Sequence, residues 1–248
     1  MAASGPDGIP GRRAFGSPRR HYRLTGSTNE RARLLAEDGA PHGTTVTAAE
    51  QTAGRGRLGR VWTAPAGKAL LCSLVLRLPE LERRLLPLAV PLAVSEAAES
   101  LAPVDCRLKW PNDVWVDDKK LAGILIEARP AQGWAVIGVG LNVTVEPQEL
   151  PSELRETATS LGRGSAEEAL AALCPALDRW VEADAATVLT AYRERDGLRG
   201  RRIAWSGAGR DDGTGTADGI AADGSLLVLA DSGERLSLGA GDVSLSVG

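Results

Sequence analysis

The 248-residue chain is poor in the residue types that usually announce a reactive site: it has two histidines, three cysteines, one methionine and one phenylalanine, and aromatic residues make up 4% of it. With only His21 and His42 available, a histidine-rich metal site is excluded. Cys72, Cys106 and Cys174 lie far apart and form no CxxC pair, which argues against a disulfide framework or a zinc site and fits a reducing, cytoplasmic setting. No stretch approaches the roughly 20 apolar residues of a membrane span. The N-terminus carries no apolar signal core, so no membrane partner is expected. An excess of charge is also lacking. The net charge is -3, so the chain as a whole is no polyanion binder and any basic cluster is local. The remainder is globular, with 43% hydrophobic and 25% charged residues.

Residues 1–20 are rich in Gly, Pro and Arg and read as a flexible arm. The segment 26–39 predicts a helix, opened by an S-x-x-E capping box (Ser27 to Glu30) and stopped at Gly39, with Ala32, Leu35 and Ala36 as its apolar stripe. The β-branched run 44–51 predicts a strand. "ALLCSLVLRL" (69–78) predicts a strand buried on both faces. Residues 83–101 read as a helix whose start is unresolved, because Pro91 inside it costs about 3 kcal/mol or forces a kink. Residues 106–128 predict three short strands joined by turns at Pro111-Asn112 and Asp117-Asp118. Residues 134–143 predict another strand. Residues 165–197 predict a helix opened by a second capping box, Ser165 to Glu168, and split or kinked at Pro175. From Leu198 the texture is all-β, with hairpin turns at Asp223-Gly224 and Ser232-Gly233. The expectation is an α+β domain over 21–197, a mixed sheet packed on helices, followed by a small barrel-like β-domain over 198–248.

Against this background "GRGRLGR" (54–60) stands out. Taken alone it is a solvated loop or a non-specific RNA contact. Its context differs from a disordered tail, since it is anchored between a strand ending at Gln51 and Trp62 with a buried strand beyond. Glycines permit close backbone approach to a ligand, and arginines present forked donors to carboxylate or phosphate. "KWPND" (109–113) sets Lys109 and Asp113 on either side of a proline turn, which is also what an ordinary salt-bridged hairpin would do. "KKLAG" (119–123) places Lys120 three residues before Gly123. "GVGLN" (138–142) is a weak nucleotide signal and lacks the third glycine of a dinucleotide-binding fingerprint.

In this order and spacing, "GSTN", "GRGRLGR-W", "KWPND…KKLAGIL" and "GVGLN", with the closing "GDVSL", resemble biotin protein ligases from about residue 22 to the end. The resemblance implies a class II synthetase-like catalytic domain, of the kind shared with lipoate ligases, and an SH3-like C-terminal domain. It implies a two-step reaction: biotin and ATP form biotinyl-5'-AMP and pyrophosphate, and a lysine of a biotin carboxyl carrier domain then takes the biotinyl group. Two anions meet in the first step, so Arg55, Arg57, Lys120 and a Mg²⁺ are expected around them. The Gly-Arg loop is expected to close over the hydrolysis-prone intermediate.

Carried over by motif, Ser27, Thr28, Asn29, Gln51, Gly54, Arg55, Arg57, Lys120 and Gly123 are expected at biotin. Arg55, Arg57, Arg60, Trp62, Lys109, Asn112, Lys120 and Asn142 are expected at the nucleotide, with Asn142 also near the metal. Asp113 is expected to orient or deprotonate the incoming lysine, whose ordinary pKa near 10.4 leaves it protonated. With Arg57 and Lys120 it completes the expected catalytic set. Since "GSTN" begins at residue 26, no N-terminal DNA-binding domain and no specific DNA partner are expected. The carrier domain is the expected partner of a monomer or weak homodimer. A lipoate or octanoate ligase of the same fold, or an RNA-binding module built on the arginine loop, are the alternatives.

Overall fold

A computed structural model describes residues 14–77, 85–207, 211–239 and 241–245. Seven strands form the larger sheet: β1 (Arg19–Tyr22), β2 (Thr45–Ala48), β3 (Ala69–Leu76), β4 (Arg107–Lys109), β5 (Asp113–Val116), β6 (Lys119–Arg129) and β7 (Trp134–Asn142). They lie in the order β1-β2-β3-β7-β6-β5-β4. Only β1 and β2 run parallel, and every other pair is antiparallel, so the sheet is mixed as expected. Four helices accompany it: α1 (Thr28–Glu37), α2 (Leu86–Leu101), α3 (Ala166–Glu182) and α4 (Ala185–Glu194).

The sheet separates two environments because side chains alternate along each strand. From β3, Leu70, Cys72, Leu74 and Leu76 join the main core with the apolar residues of α2 and α3. The opposite pleat sends Val75 of β3 with Trp134 and Val136 of β7 against Ala32 and Ala36 of α1. All eight residues of β3 are buried, which explains its apolar run, with Ser73 the one polar residue in it. Beyond the N-terminus of α1 that second face is uncovered, and a pocket forms there.

Several local expectations change. Residues 14–20 are built into the fold rather than left as an arm. Phe15 is buried, the Gly16 N–H donates to Gly43 O, and β1 begins at Arg19. The rest of the expected arm, residues 1–13, lies outside the described residues, as do residues 78–84 between β3 and α2. Ser27 holds the N-cap position of α1 in extended backbone, but its side chain makes no capping bond, so the expected Ser27–Glu30 box is absent. The Thr28 N–H is taken instead by Gln51 Oε1 at 2.7 Å. Half of the second box forms: Ser165 Oγ accepts from the Glu168 N–H at 3.2 Å, while the Glu168 carboxylate accepts from the Ser165 hydroxyl at 2.8 Å.

Pro87 sits in the first turn of α2 and Pro91 lies inside the helix, which continues to Leu101. The one ladder bond that Pro91 cannot make belongs to the exposed Pro87, where water can replace it. Likewise α3 runs through exposed Pro175 to Glu182, and the break falls at Ala183-Asp184 instead. Asp184 starts a new helix by accepting from the Ala186 and Thr187 N–H groups.

The last five strands are β8 (Arg202–Ser206), β9 (Gly213–Ile220), β10 (Leu226–Ala230), β11 (Arg235–Leu238) and β12 (Asp242–Leu245). They form a separate antiparallel sheet in the order β11-β10-β9-β8-β12, with both expected turns at positive-φ glycines, Gly224 and Gly233. Its β12 returns to the edge of the pocket, to which Asp242, Ser244 and Leu245 contribute.

Candidate active site

A cavity of about 520 Å³ opens on the uncovered face of the larger sheet. Its floor is glycine. Register pairs Gly123 of β6 with Gly140 of β7, and Gly138 lies two residues before Gly140 on the same pleat. A Cβ on Gly140 would come within 2.4 Å of the Trp62 ring, and one on Gly123 within 2.8 Å. Trp62 therefore lies against bare backbone, a close approach that only glycine allows. A Cβ on Gly138 would sit 2.0 Å from Asn29 Oδ1. "GVGLN" thus acts as a flat floor on which one aromatic ring and one amide already rest.

One end of the cavity is neutral. Ser27, Thr28, Asn29 and Gln51 line it, all brought there by the start of α1 and the segment after β2. Thr28 Oγ1 lies 3.0 Å from Gln51 Oε1 and 2.8 Å from Ser73 Oγ. Ser73 Oγ lies 2.6 Å from Asn29 Oδ1, whose amide Nδ2 donates to Glu127 Oε2 at 2.9 Å. Motif reading missed Ser73 and Glu127. A signal for Glu127 did exist: a lone carboxylate inside "ILIEA", two and four residues beyond Leu125 and Gly123 on the same strand face.

The other end is charged. The stretch 54–62 is an ordered hairpin, closed by the Trp62 N–H to Gly54 O at 3.0 Å and the Gly56 N–H to Arg60 O at 2.7 Å. Gly54 does not line the cavity; its role is steric, since a Cβ there would meet Trp62 O at 2.3 Å. Arg55 pairs with Glu127 Oε1 at 3.4 Å, and Arg60 forms an ion pair with Asp242 of β12. Arg57 points inward, with Nη1 at 3.5 Å from Asn112 Oδ1, and burial lowers its pKa from the ordinary arginine value. Asn112 is itself fixed on the proline turn. Its Nδ2 donates to Ile124 O at 3.1 Å and its carbonyl accepts from the Ile124 N–H at 2.9 Å.

Asp113 stands between two lysines. Its Oδ1 lies 2.7 Å from Lys120 Nζ and its Oδ2 3.9 Å from Lys109 Nζ. Lys109 also sits over the Trp115 ring at 5.1 Å, and Lys120 over Trp62 at 5.6 Å. Burial pushes the Lys109 pKa below the ordinary lysine value, with Asp113 opposing that shift. At the cavity's apolar wall, Leu150, Leu154 and Ala158 pack near Trp62 and Leu71. Two polar atoms there have no partner: Trp62 Nε1 and Asn142 Oδ1 are buried and unbonded, while Asn142 Nδ2 donates to Thr159 O at 2.9 Å. One is a donor and the other an acceptor, so both can serve a ligand.

All residues expected at the site except Gly54 line this one cavity. Five cations (Arg55, Arg57, Arg60, Lys109 and Lys120) line it against three carboxylates (Asp113, Asp118 and Asp242), an excess of two positive charges. The arrangement can hold a largely neutral polar ring at one end and an anion at the other.

A mixed sheet with a glycine floor, a basic hairpin and a second β-module is the architecture of the protein ligases that attach small cofactor acids. The sequence model of the family described as Biotin/lipoate A/B protein ligase family matches residues 22–143, and that of the Biotin protein ligase C terminal domain matches residues 200–246. The biotin–[acetyl-CoA-carboxylase] ligase of Mycobacterium tuberculosis is 38% identical over 234 residues, spanning 88% of this chain and 85% of that protein. The chain belongs to the biotin protein ligase family. The bifunctional ligase/repressor BirA of Bacillus subtilis is 38% identical over 153 residues, and the match covers 60% of this chain and 47% of that longer relative. Among solved structures, the biotin protein ligase of Aquifex aeolicus in complex with biotin and ATP superposes with a TM-score of 0.79 at 28% identity, covering 93% of this chain and all of that one.

Proposed function

We propose that this chain activates biotin with ATP to biotinyl-5'-AMP and transfers the biotinyl group to a lysine of a biotin carboxyl carrier domain. The observation that carries the reading is the polarity of the cavity: uncharged Ser27, Thr28, Asn29 and Gln51 at one end, Arg57, Arg60, Lys109 and Lys120 gathered at the other, an excess of two cations over the whole lining, and a glycine floor between. Biotin has the same layout, with an uncharged ureido ring joined by an apolar chain to a carboxylate. The ring takes the end built by Ser27, Thr28 and Gln51, and the carboxylate points to Lys120 and Arg57.

In the first step a carboxylate oxygen bonds to the α-phosphorus, and the bond to the β-phosphate oxygen breaks with pyrophosphate leaving. Like charges approach, so the cations lower the barrier most where the charges concentrate. Lys120 and Arg57 are the groups aimed inward, and Arg60 and Lys109 flank them. Adenine is assigned the wall near Trp62, with the unpaired Asn142 Oδ1 able to accept from its exocyclic amine. Asn142 would also stand near a bound Mg²⁺, a hard cation that takes oxygen ligands. When bound, the metal supplies charge neutralisation on the phosphates.

In the second step the acceptor amine attacks the acyl carbon, an amide forms, and the acyl–phosphate oxygen bond breaks to release AMP. The amine must lose a proton, and Asp113 is the carboxylate beside the inward cations. Its contact with Lys120 gives it a second role, holding that cation on the carboxylate side of the cavity. We assign 21–197 to the catalytic domain and 198–248 to an SH3-like module that completes the pocket rim through Asp242. Pyrophosphate release from ATP, with and without biotin, tests the reading. Release stimulated by biotin, with transfer to a carrier-domain lysine, is the expected result. Stimulation by lipoate or octanoate alone, or polynucleotide binding without release, would overturn it.

A further inference from the structure

We infer that this chain is shielded from its own acyl adenylate by the scarcity and placement of its lysines, and that an exposed lysine at the pocket rim would become an acceptor. The inference rests on the biotin reading and goes beyond it. Lysine and arginine together number 29, and only four are lysine: Lys68, Lys109, Lys119 and Lys120. The two cations are alike in charge but not in reactivity. A guanidinium stays protonated at neutral pH and offers no free lone pair. An ammonium with the ordinary pKa near 10.4 leaves roughly one molecule in a thousand as free amine at a pH of about 7.4. A mixed anhydride consumes that fraction. The amine nitrogen bonds to the acyl carbon, the acyl–phosphate oxygen bond breaks, AMP leaves and the nitrogen loses a proton.

Each of the four lysines is tied down or turned away. Lys68 Nζ lies 2.9 Å from Glu149 Oε1, and that bond raises its pKa and keeps it charged. Lys120 Nζ lies 2.7 Å from Asp113 Oδ1. Lys109 is the lysine whose pKa burial lowers, so its shield is steric. Only 14% of its side chain is exposed, and its ammonium sits between Asp113 and the Trp115 ring. Lys119 precedes Lys120 on β6, so alternation sends it to the other face of the sheet, the side on which Leu121 enters the main core. Lys120 lines the cavity and Lys119 does not.

At the rim the accessible cations are arginines. Arg55 and Arg60 of the hairpin are exposed. Arg201, also partly exposed, forks to the cavity-lining Asp118 at 2.5 and 2.8 Å. A lysine in any of these places would bring the same charge to an anionic substrate and could pair with the same carboxylate. What it would add is a nucleophile beside the bound anhydride, where proximity multiplies its reactivity. Selectivity for the carrier lysine then includes removing rival amines as well as admitting the right one. Composition alone would leave the few remaining lysines scattered and unpaired, whereas Lys68, Lys109 and Lys120 each face a carboxylate within 4.0 Å.

The test is self-biotinylation of the full chain with biotin and ATP and no carrier domain. Biotin is mapped lysine by lysine by mass spectrometry and expressed per pyrophosphate released. In the unaltered protein all four lysines should stay nearly unlabelled. Arg201→Lys and Val61→Lys each place an amine at the rim, Val61 being exposed and part of the cavity lining. The installed amine should carry at least about tenfold more biotin than any native lysine. Arg235→Lys places an amine on β11, at the opposite edge of the second sheet from β12, and should be labelled no more than the native lysines. Excess labelling of either rim variant over the β11 variant supports the proposal. Native lysines labelled as strongly as an installed one would overturn it. So would rim variants that release pyrophosphate yet stay unlabelled, or equal labelling at the rim and on β11. If Arg201→Lys fails to fold, Val61→Lys decides it by the same outcomes. Failure of the underlying reading would look different, because biotin would then stimulate no pyrophosphate release by the unaltered protein.

Discussion

At the neutral end of the pocket, Thr28, Asn29, Gln51, Ser73 and Glu127 come from α1, β3, β6 and the segment after β2, and nearly every polar atom is spoken for. At the charged end, Arg57 makes one long contact of 3.5 Å, Asp113 is shared between two lysines, and Trp62 Nε1 and Asn142 Oδ1 have no partner. The first end is complete before a ligand arrives, while the second is completed by one. A ring recognised by shape and hydrogen bonds needs a rigid, satisfied surface. A reacting pair of anions needs cations whose charge is not already cancelled by the protein. Substitutions at the two ends should therefore fail differently, by losing affinity at the first and chemistry at the second.

The largest expected effect is Lys120→Ala. Lys120 is the inward cation closest to Asp113 and stacks over Trp62. Without it the approaching carboxylate and α-phosphate repel each other more strongly, and pyrophosphate release should drop by ~10²–10³-fold, as on removal of a transition-state donor elsewhere. A loss of under fivefold, measured in a single turnover, would move the adenylation role to Arg57 or Lys109.

Arg57→Gly comes next. A hydrogen bond to a charged group is worth about 1.5–3 kcal/mol, so release of the adenylate should quicken by roughly tenfold or more. Free biotinyl-AMP would then label lysines of bystander proteins. Labelling that stays confined to the carrier domain, with merely slower turnover, would mean the loop is held shut by other contacts, of which the Arg60–Asp242 pair is the first candidate.

The contrast between the ends also decides what a reader of the sequence could see. The charged end was legible because its residues sit in contiguous motifs, where the proline turn and the glycine-flanked arginines mark themselves. Both segments fit the same capping pattern, yet only Ser165 caps its helix with its side chain. At Ser27 a side chain 24 residues away, Gln51, takes the helix's first donor. Pro175 reads as a break, but an exposed face lets the helix absorb it, and the true break comes from Asp184, whose capping competes with helix continuation. Phe15 sits in a stretch whose composition signals a solvated arm, and nothing local reveals the cavity it fills beside His42, 4.7 Å between ring centres. Ser73 and Glu127 are the deepest omission. Ser73 belongs to a strand read as apolar and Glu127 to one read only as a short strand, and their meeting depends on register between β3, β6 and β7.

Asp113→Asn should have a smaller, divided effect of roughly tenfold. If Asp113 acts on the acceptor amine, transfer from preformed biotinyl-AMP falls more than adenylation, and raising the pH relieves the loss because more acceptor lysine is already neutral. The 2.7 Å contact with Lys120 predicts that adenylation falls as well, though less, because the lysine loses its anchor. Equal losses in both half-reactions with no relief at high pH would make Asp113 solely the holder of Lys120.

The smallest effect is Lys109→Met, read in stability rather than rate. Lys109 is buried to 14% exposure and its nearest anion is 3.9 Å away, so burial outweighs pairing and its pKa lies below 10.5 in the folded chain. The unfolded chain keeps the ordinary value. Between the two, unfolded molecules bind more protons than folded ones, so stability rises with pH across the window below 10.5. At neutral pH the charged form is the one that pays for burial. Methionine fills similar volume without a charge, so Lys109→Met should cost less than about 1 kcal/mol at pH 7 or be slightly stabilising. It should also flatten the rise in urea midpoint as the pH climbs toward 10.5, while raising the KM for ATP. A variant markedly less stable at pH 7 would show that Asp113 and the Trp115 ring hold this ammonium more firmly than burial opposes it, and the neutral end would then not be the only satisfied part of the pocket.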